Sequence, residues 1–249
     1  MTAIGSTEWR LRADLAAAFR VFSRLGFNDG IANHNSAMLP DEPGHFLVNP
    51  RGLMFREIRA SDLIVCDLEG RKVRGTREPR PTEMRMHGRV HALAPRASVV
   101  LHVHARWTTA LALIEAGTLQ SAHYGDLVLI DRMVDGSERD EGRVDEYLGD
   151  RIAQCLGATA TSMIMHRHGL AVCGPSVADA FDELYCIERQ TRYQLLAVQA
   201  AEKTGRRLRR LDDSLRPRFH GPLRERYDSD LHLAAWRRIL DREEPDYAS

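Results

Sequence analysis

The stretch Ala97-Ser-Val-Val-Leu-His-Val-His104 decides the architecture. An apolar run that closes on two histidines two positions apart reads as a buried β-strand. Residues i and i+2 of a strand share a face, so both imidazoles point the same way. Two imidazoles on one face of a strand end can chelate a single cation, and histidine is the commonest metal-binding side chain. Upstream, Pro81 opens a helix over Thr82–Ala94 that carries Glu83 in its first turn and stops before Pro95. Downstream the pattern gives a helix over Trp107–Ala116, a strand over Leu127–Ile130 and a helix over Glu141–Leu156. Val144, Leu148, Ile152 and Cys155 lie on one side of that last helix.

Met163-Ile-Met165 and Leu170-Ala-Val-Cys173 read as short strands flanking His166-Arg-His-Gly169. Ser176, with Asp179 three residues on, resembles a capping box and starts a long helix to Glu202. Toward the N-terminus, Leu11, Leu15, Phe19, Phe22 and Leu25 form one stripe of a helix over Thr7–Leu25, which Gly26 stops. The segments 36–39 and 46–48, joined by a Pro40–Gly44 turn, predict a hairpin, and Leu63–Cys66 another strand. Strands alternating with helices give an α/β layer fold.

The chain of 249 residues has 35 basic and 35 acidic side chains, so there is no global positive field for nucleic acid. No apolar run approaches the roughly 20 residues that span a bilayer. Nor do the first residues show the charged-then-apolar pattern of a secretory signal. Cys66, Cys155, Cys173 and Cys186 are widely spaced, which suits a reducing cytoplasm better than a zinc ribbon or a disulfide framework. After Gly205, Arg206-Arg-Leu-Arg-Arg210 runs into Asp212-Asp213. Residues 206–249 are therefore expected as a charged extension with a solvated face, beyond a main domain of residues 1–205.

A metal site needs ligands converging from separate elements. His102 and His104 supply two. His168 is the leading third candidate, because the turn before Gly169 can aim it inward; His166 is the rival, since strand alternation could reverse the choice. Three neutral imidazoles leave the full charge on a zinc-like ion and one coordination position open. Such an ion polarises carbonyl or hydroxyl oxygens. Glu83 sits at the favourable end of its helix dipole and could serve as ligand, acid or base. His87 and His91 follow at helical spacing and read as packing or supporting residues.

Taken together, the chain resembles the class II aldolase/adducin family over roughly residues 10 to 200. Gly30-Ile-Ala-Asn-His-Asn-Ser36 resembles the family's Gly/Asn/Ser loop, and Phe46-Leu-Val-Asn-Pro-Arg-Gly52 its Asn-Pro-x-Gly segment. Ala60-Ser-Asp-Leu-Ile-Val65 with Asp67-Leu-Glu-Gly70, Pro81-Thr-Glu83 with His87, Val100-Leu-His-Val-His104, and His168-Gly169 with Gly174 resemble four further motifs, in the family's order. The resemblance implies a three-layer α/β/α fold with a central, mostly antiparallel sheet, and a homo-oligomer, often a tetramer, with sites at subunit interfaces. It implies His102, His104 and His168 as ligands of one divalent ion per subunit, zinc first and Mn, Co or Fe as alternatives. Glu83 becomes the acid/base residue.

Against the sugar-phosphate aldolases the chain departs in several places. Ala32 stands where Gly is common, Arg51 where Ser is common, and Thr82 is the one hydroxyl before Glu83. A guanidinium is a planar fork for a carboxylate or phosphate. Asn33, Ser36, Arg51 and Thr82 are thus the expected substrate-binding residues, and the expected substrate is a small carbonyl or hydroxy carboxylate. The expected reaction is C–C cleavage, by decarboxylation or retro-aldol chemistry, through an enolate. The alternatives are a non-catalytic adducin-like module, or an Fe(II) oxygenase or dehydratase using the same histidines.

Overall fold

A computed structural model describes residues 6–94, 96–115, 117–123, 125–136, 147–212, 214 and 228–249. Helix α1 spans Ser6–Leu25. Strands β1 (His34–Met38), β2 (His45–Val48), β3 (Ile64–Asp67) and β4 (Lys72–Arg74) follow. Then come α2 (Pro81–Leu93), β5 (Val99–Val103), α3 (Arg106–Ala112), α4 (Asp126–Ile130) and β6 (Met133–Asp135). The chain continues through α5 (Leu148–Leu156), β7 (Ser162–Met165), β8 (Gly169–Gly174), α6 (Val177–Lys203) and α7 (Ser229–Glu243).

The strands form one sheet in the order β4-β3-β2-β1-β5-β8-β7-β6. Every neighbouring pair is antiparallel except β6 with β7. The expected mostly antiparallel sheet between helical layers is what forms. Strand alternation sorts the faces. Leu101, Val103, Leu170 and Val172 join a core with α1 and α6. Val100, Met163, Ala171 and Cys173 turn to the other face, against α2 and α5. His102 shares the parity of Val100, so it faces the α2 side. There it lies in register opposite His34 of β1.

Two expectations need correction, and a third is met over the residues described. Leu127–Ile130, expected as a strand, is the single helical turn of α4, and the edge strand β6 follows it. Four consecutive apolar residues carry no period that separates strand from helix, and Leu127, Val128 and Leu129 are buried either way. The helix after Trp107 ends at Ala112, not Ala116; past it the chain folds back so tightly that a Cβ at Gly117 would sit 2.1 Å from the Leu111 carbonyl oxygen. Of the helix expected over Glu141–Leu156, Leu148–Leu156 forms, while 141–146 lie outside the described residues.

The C-terminal residues 229–249 are not the solvated face their charge pattern predicts. Leu233, Leu240 and Tyr247 enter the same core as Phe19 and Phe22. The arginines and acids that mask this apolar stripe pair with each other across elements. Arg20, itself buried, bonds the Ile58 carbonyl at 3.0 Å and bridges to Glu244 and Asp246 at 3.0 Å each. Long charged side chains cover apolar surface while their heads stay paired or wet.

Candidate metal centre

The site begins where β5 ends. The His102 amide donates to Asn35 Oδ1 at 3.0 Å, and the Asn35 amide donates to Asn49 Oδ1 at 3.0 Å. Two buried asparagines thus pin the backbone from which His102 projects. His102 Nδ1 lies 3.2 Å from the Leu170 carbonyl, an acceptor, so Nδ1 carries the proton and Nε2 is bare. His104 Nδ1 lies 3.4 Å from Asp29 Oδ2, which favours the same tautomer. The two Nε2 atoms are 3.2 Å apart. With both protons committed elsewhere, that pair is not a hydrogen bond but two lone pairs facing one space.

His168 completes the group. It follows Arg167, whose φ of 57° places a non-glycine residue in the left-handed region, in the turn from β7 to β8. The Arg167 amide donates to the Ala112 carbonyl at 3.0 Å, and the His168 amide to that of Met165 at 3.1 Å. These bonds hold the turn in its unusual conformation. The His168 ring centroid is 4.8 Å from those of both His102 and His104. One ring nitrogen from each of the three histidines lies within 4.8 Å of the others. His168, and not its rival His166, is therefore brought to the pair. Gly169 allows this approach: a Cβ there would be 2.6 Å from the Val103 carbonyl oxygen and 3.0 Å from His104 Cδ2.

The group fits a zinc-like ion on its own chemistry. Two nitrogens each about 2.0–2.1 Å from one tetrahedral ion stand roughly 3.3 Å apart, against 3.2 Å here. Burial and the neighbouring rings hold His102 neutral, well below the usual histidine range. Burial, with His104 beside it, lowers His168 to about 4. Neutral imidazoles with oriented lone pairs are what a divalent cation requires.

The other expected site residues divide. Glu83 occupies the first turn of α2, partly exposed, with Oε1 3.5 Å from Arg80 Nη1. Arg80 also donates to the Ile31 carbonyl at 3.1 Å, tying the N-terminus of α2 to the loop before β1. Asn33, in that loop, accepts from the Asp29 amide at 2.6 Å through Oδ1, while its buried Nδ2 has no partner among the described residues. Asn33 therefore holds the same Asp29 that contacts His104. Thr82 and Arg51 are exposed. Ser36 is fully buried, and its Oγ lies 2.5 Å from His87 Nδ1 and 2.8 Å from His91 Nε2. The structure does not bring Ser36 to the open side of the site.

Three contributors are not evident from the sequence alone. Asp29 is an acid in a polar loop with no spacing to mark it. His34 is visible only once β1 is paired with β5, which sets it opposite His102 with ring centroids 4.9 Å apart. Glu188 of α6 is a third positioning group. Its carboxylate accepts from the Trp107 and Thr108 amides at 2.8 and 2.9 Å, fixing the first turn of α3 just beyond His104. Burial raises its pKa while those donors pull it down.

The model of the class II aldolase and adducin N-terminal domain matches residues 13–195. A Pseudomonas aeruginosa protein that carries an aldolase class 2 name is 30% identical over 98% of this chain and 94% of its own length. Beta-adducin of Rattus norvegicus is 24% identical over 79% of this chain, a match that spans 27% of the adducin. Among solved structures, an aldolase II superfamily protein from Pseudomonas syringae superposes with a TM-score of 0.85 at 26% identity, covering 99% of this chain and 98% of that one. An L-fuculose 1-phosphate aldolase from Glaciozyma antarctica gives a TM-score of 0.83 at 21% identity over 99% and 96% of the two chains, a likeness of fold.

Proposed function

The chain belongs to the class II aldolase and adducin family, and from that premise we propose that it is a divalent-metal-dependent lyase that cleaves a C–C bond of a small carbonyl or hydroxy carboxylate. The observation that carries the proposal is the trio itself: ring nitrogens of His102, His104 and His168 converge from two elements. The first two rings already have their other nitrogens engaged. These three residues would hold the ion, zinc in the first instance. When bound, it would supply Lewis acidity toward substrate oxygens.

The protein side chains would do the rest. Glu83 moves the proton, from the first turn of α2 where Arg80 steadies its carboxylate. Asn33 Nδ2, a buried donor with no protein partner among the described residues, offers a hydrogen bond to a substrate oxygen. Thr82 adds a hydroxyl, and Arg51 a guanidinium for the carboxylate. Retro-aldol cleavage and decarboxylation are the two forms of the proposal, since both leave an enolate and ask the same residues to reprotonate it. A homo-oligomer belongs to the same reading. Its support is the exposed apolar pair Leu113 and Ile114, just past the helix that follows His104.

The test is lyase activity on 4-hydroxy-2-keto acids, for retro-aldol cleavage, and on 3-keto acids, for decarboxylation, beside sugar phosphates such as L-fuculose 1-phosphate. Activity should vanish on chelation, return with zinc, and fall in Glu83→Gln. Activity that survives both chelation and Glu83→Gln would defeat the proposal.

A further inference from the structure

Behind the metal centre, on the same face of the sheet, lies a second set of histidines that the proposed reaction does not use. It runs as a chain. His91 Nδ1 is 2.5 Å from the Ala97 carbonyl, and His91 Nε2 is 2.8 Å from Ser36 Oγ. Ser36 Oγ is 2.5 Å from His87 Nδ1, and His87 Nε2 is 2.8 Å from His34 Nδ1.

The proton on each link follows from the first. A carbonyl only accepts, so His91 Nδ1 carries hydrogen. Burial keeps His91 neutral, its pKa near 4, which leaves Nε2 bare. Ser36 must then spend its one hydroxyl hydrogen on His91, and its oxygen accepts from His87 Nδ1. His87 is buried and neutral, so its Nε2 is bare and accepts from His34 Nδ1. His34 spends its Nδ1 proton on that bond, and no acceptor for a second proton stands at its Nε2 among the described residues. His34 Nε2 is left as a lone pair. It has no partner among the described residues and is not sealed off as a buried orphan. Its ring stands 4.9 Å from that of His102.

We propose that His34 is a further substrate-binding residue, preset by the Ala97–His91–Ser36–His87 chain to present Nε2 as a hydrogen-bond acceptor for a substrate hydroxyl beside the three-histidine centre. The tautomer of a histidine is set by the bond its other nitrogen makes. Here that setting is transmitted through four links from one backbone carbonyl. The inference rests on the proposed function for the ligand's class, a hydroxy acid, but not for the tautomer.

Nitrogen NMR of histidine-labelled, zinc-depleted protein near neutral pH reads the tautomers directly. His34, His87 and His91 should each carry the proton on Nδ1. In Ser36→Ala, His87 Nδ1 loses its acceptor, so His87 is expected to donate from Nε2 to His34, moving the His34 proton to Nε2. A proton on Nε2 of His34 in the wild type, or an unmoved His34 tautomer in folded Ser36→Ala, overturns the relay. The second arm uses zinc-loaded protein and glycolate, the smallest 2-hydroxy acid. His34→Phe should keep its zinc and bind glycolate about tenfold more weakly, the worth of one hydrogen bond. Equal binding overturns the acceptor role. If glycolate fails to bind the wild type, the hydroxy-acid reading falls, and the NMR result alone decides the inference.

Discussion

Two histidine clusters share one face of the sheet, and they are built on opposite rules. In His34, His87 and His91, with Ser36 between the last two, each donor meets an acceptor. In His102 and His104 the protons point outward, to Leu170 and Asp29, and the inner nitrogens face each other with nothing to share. His168 joins them from a strained turn. The first arrangement spends every proton internally and leaves open only the His34 Nε2 lone pair; the second gathers lone pairs that a cation would complete. Counting histidines would not separate them, whereas following each proton does.

The comparison breaks most severely if a member of the open cluster can be removed without consequence. His102→Ala should abolish tight metal binding, a larger loss than the roughly 10–100-fold that outer-shell changes cost, and should take lyase activity with it. Metal content after dialysis against a weak chelator checks this. Ser36→Ala strikes the closed cluster instead. It leaves two buried ring nitrogens without their partner, at a cost of about 1–3 kcal/mol for each orphan. Urea unfolding should register that loss while the protein keeps its metal. Should Ser36→Ala lose metal and His102→Ala lose only stability, the two roles are reversed.

A pH series sharpens the contrast further. His91 titrates near 4 in the folded protein against about 6.5 unfolded. Between those values the unfolded chain binds the extra proton, so folding stability rises with pH through that window and is fully present above it. The metal-free protein should therefore lose about 2–3 kcal/mol from this residue between pH 6.5 and 4, and His91→Phe should flatten that slope. The smallest effect belongs to Asp29→Asn. It keeps a hydrogen-bond acceptor for His104 but removes the charge, and should weaken metal affinity by about tenfold.

The sequence made the open cluster legible and the closed one nearly invisible, for a physical reason. His102 and His104 announce themselves because a strand's two-residue period puts them on one face, and Gly169 marks the turn that brings in His168. Glu83 was readable from its place in the first turn of α2, after Pro81. Ser36 and His91 lie 55 positions apart. Their meeting depends on β1 and α2 packing face to face, which no local pattern encodes. His34 looked like part of a polar loop until β1 paired in register with β5. The same blindness to pairing explains the tail. Leu233, Leu240 and Tyr247 are spread among arginines and acids, and only the partners of those charges, such as Arg20 with Glu244 and Asp246, show the segment folded onto the core.

The central claim is that three of these histidines bind a metal and three do not. Its most direct test is elemental analysis of the purified protein and of two variants. One divalent ion per chain is expected in the wild type and in His91→Phe, and none in His168→Ala. A wild type without stoichiometric metal, or a folded His168→Ala that retains a full equivalent, would contradict it.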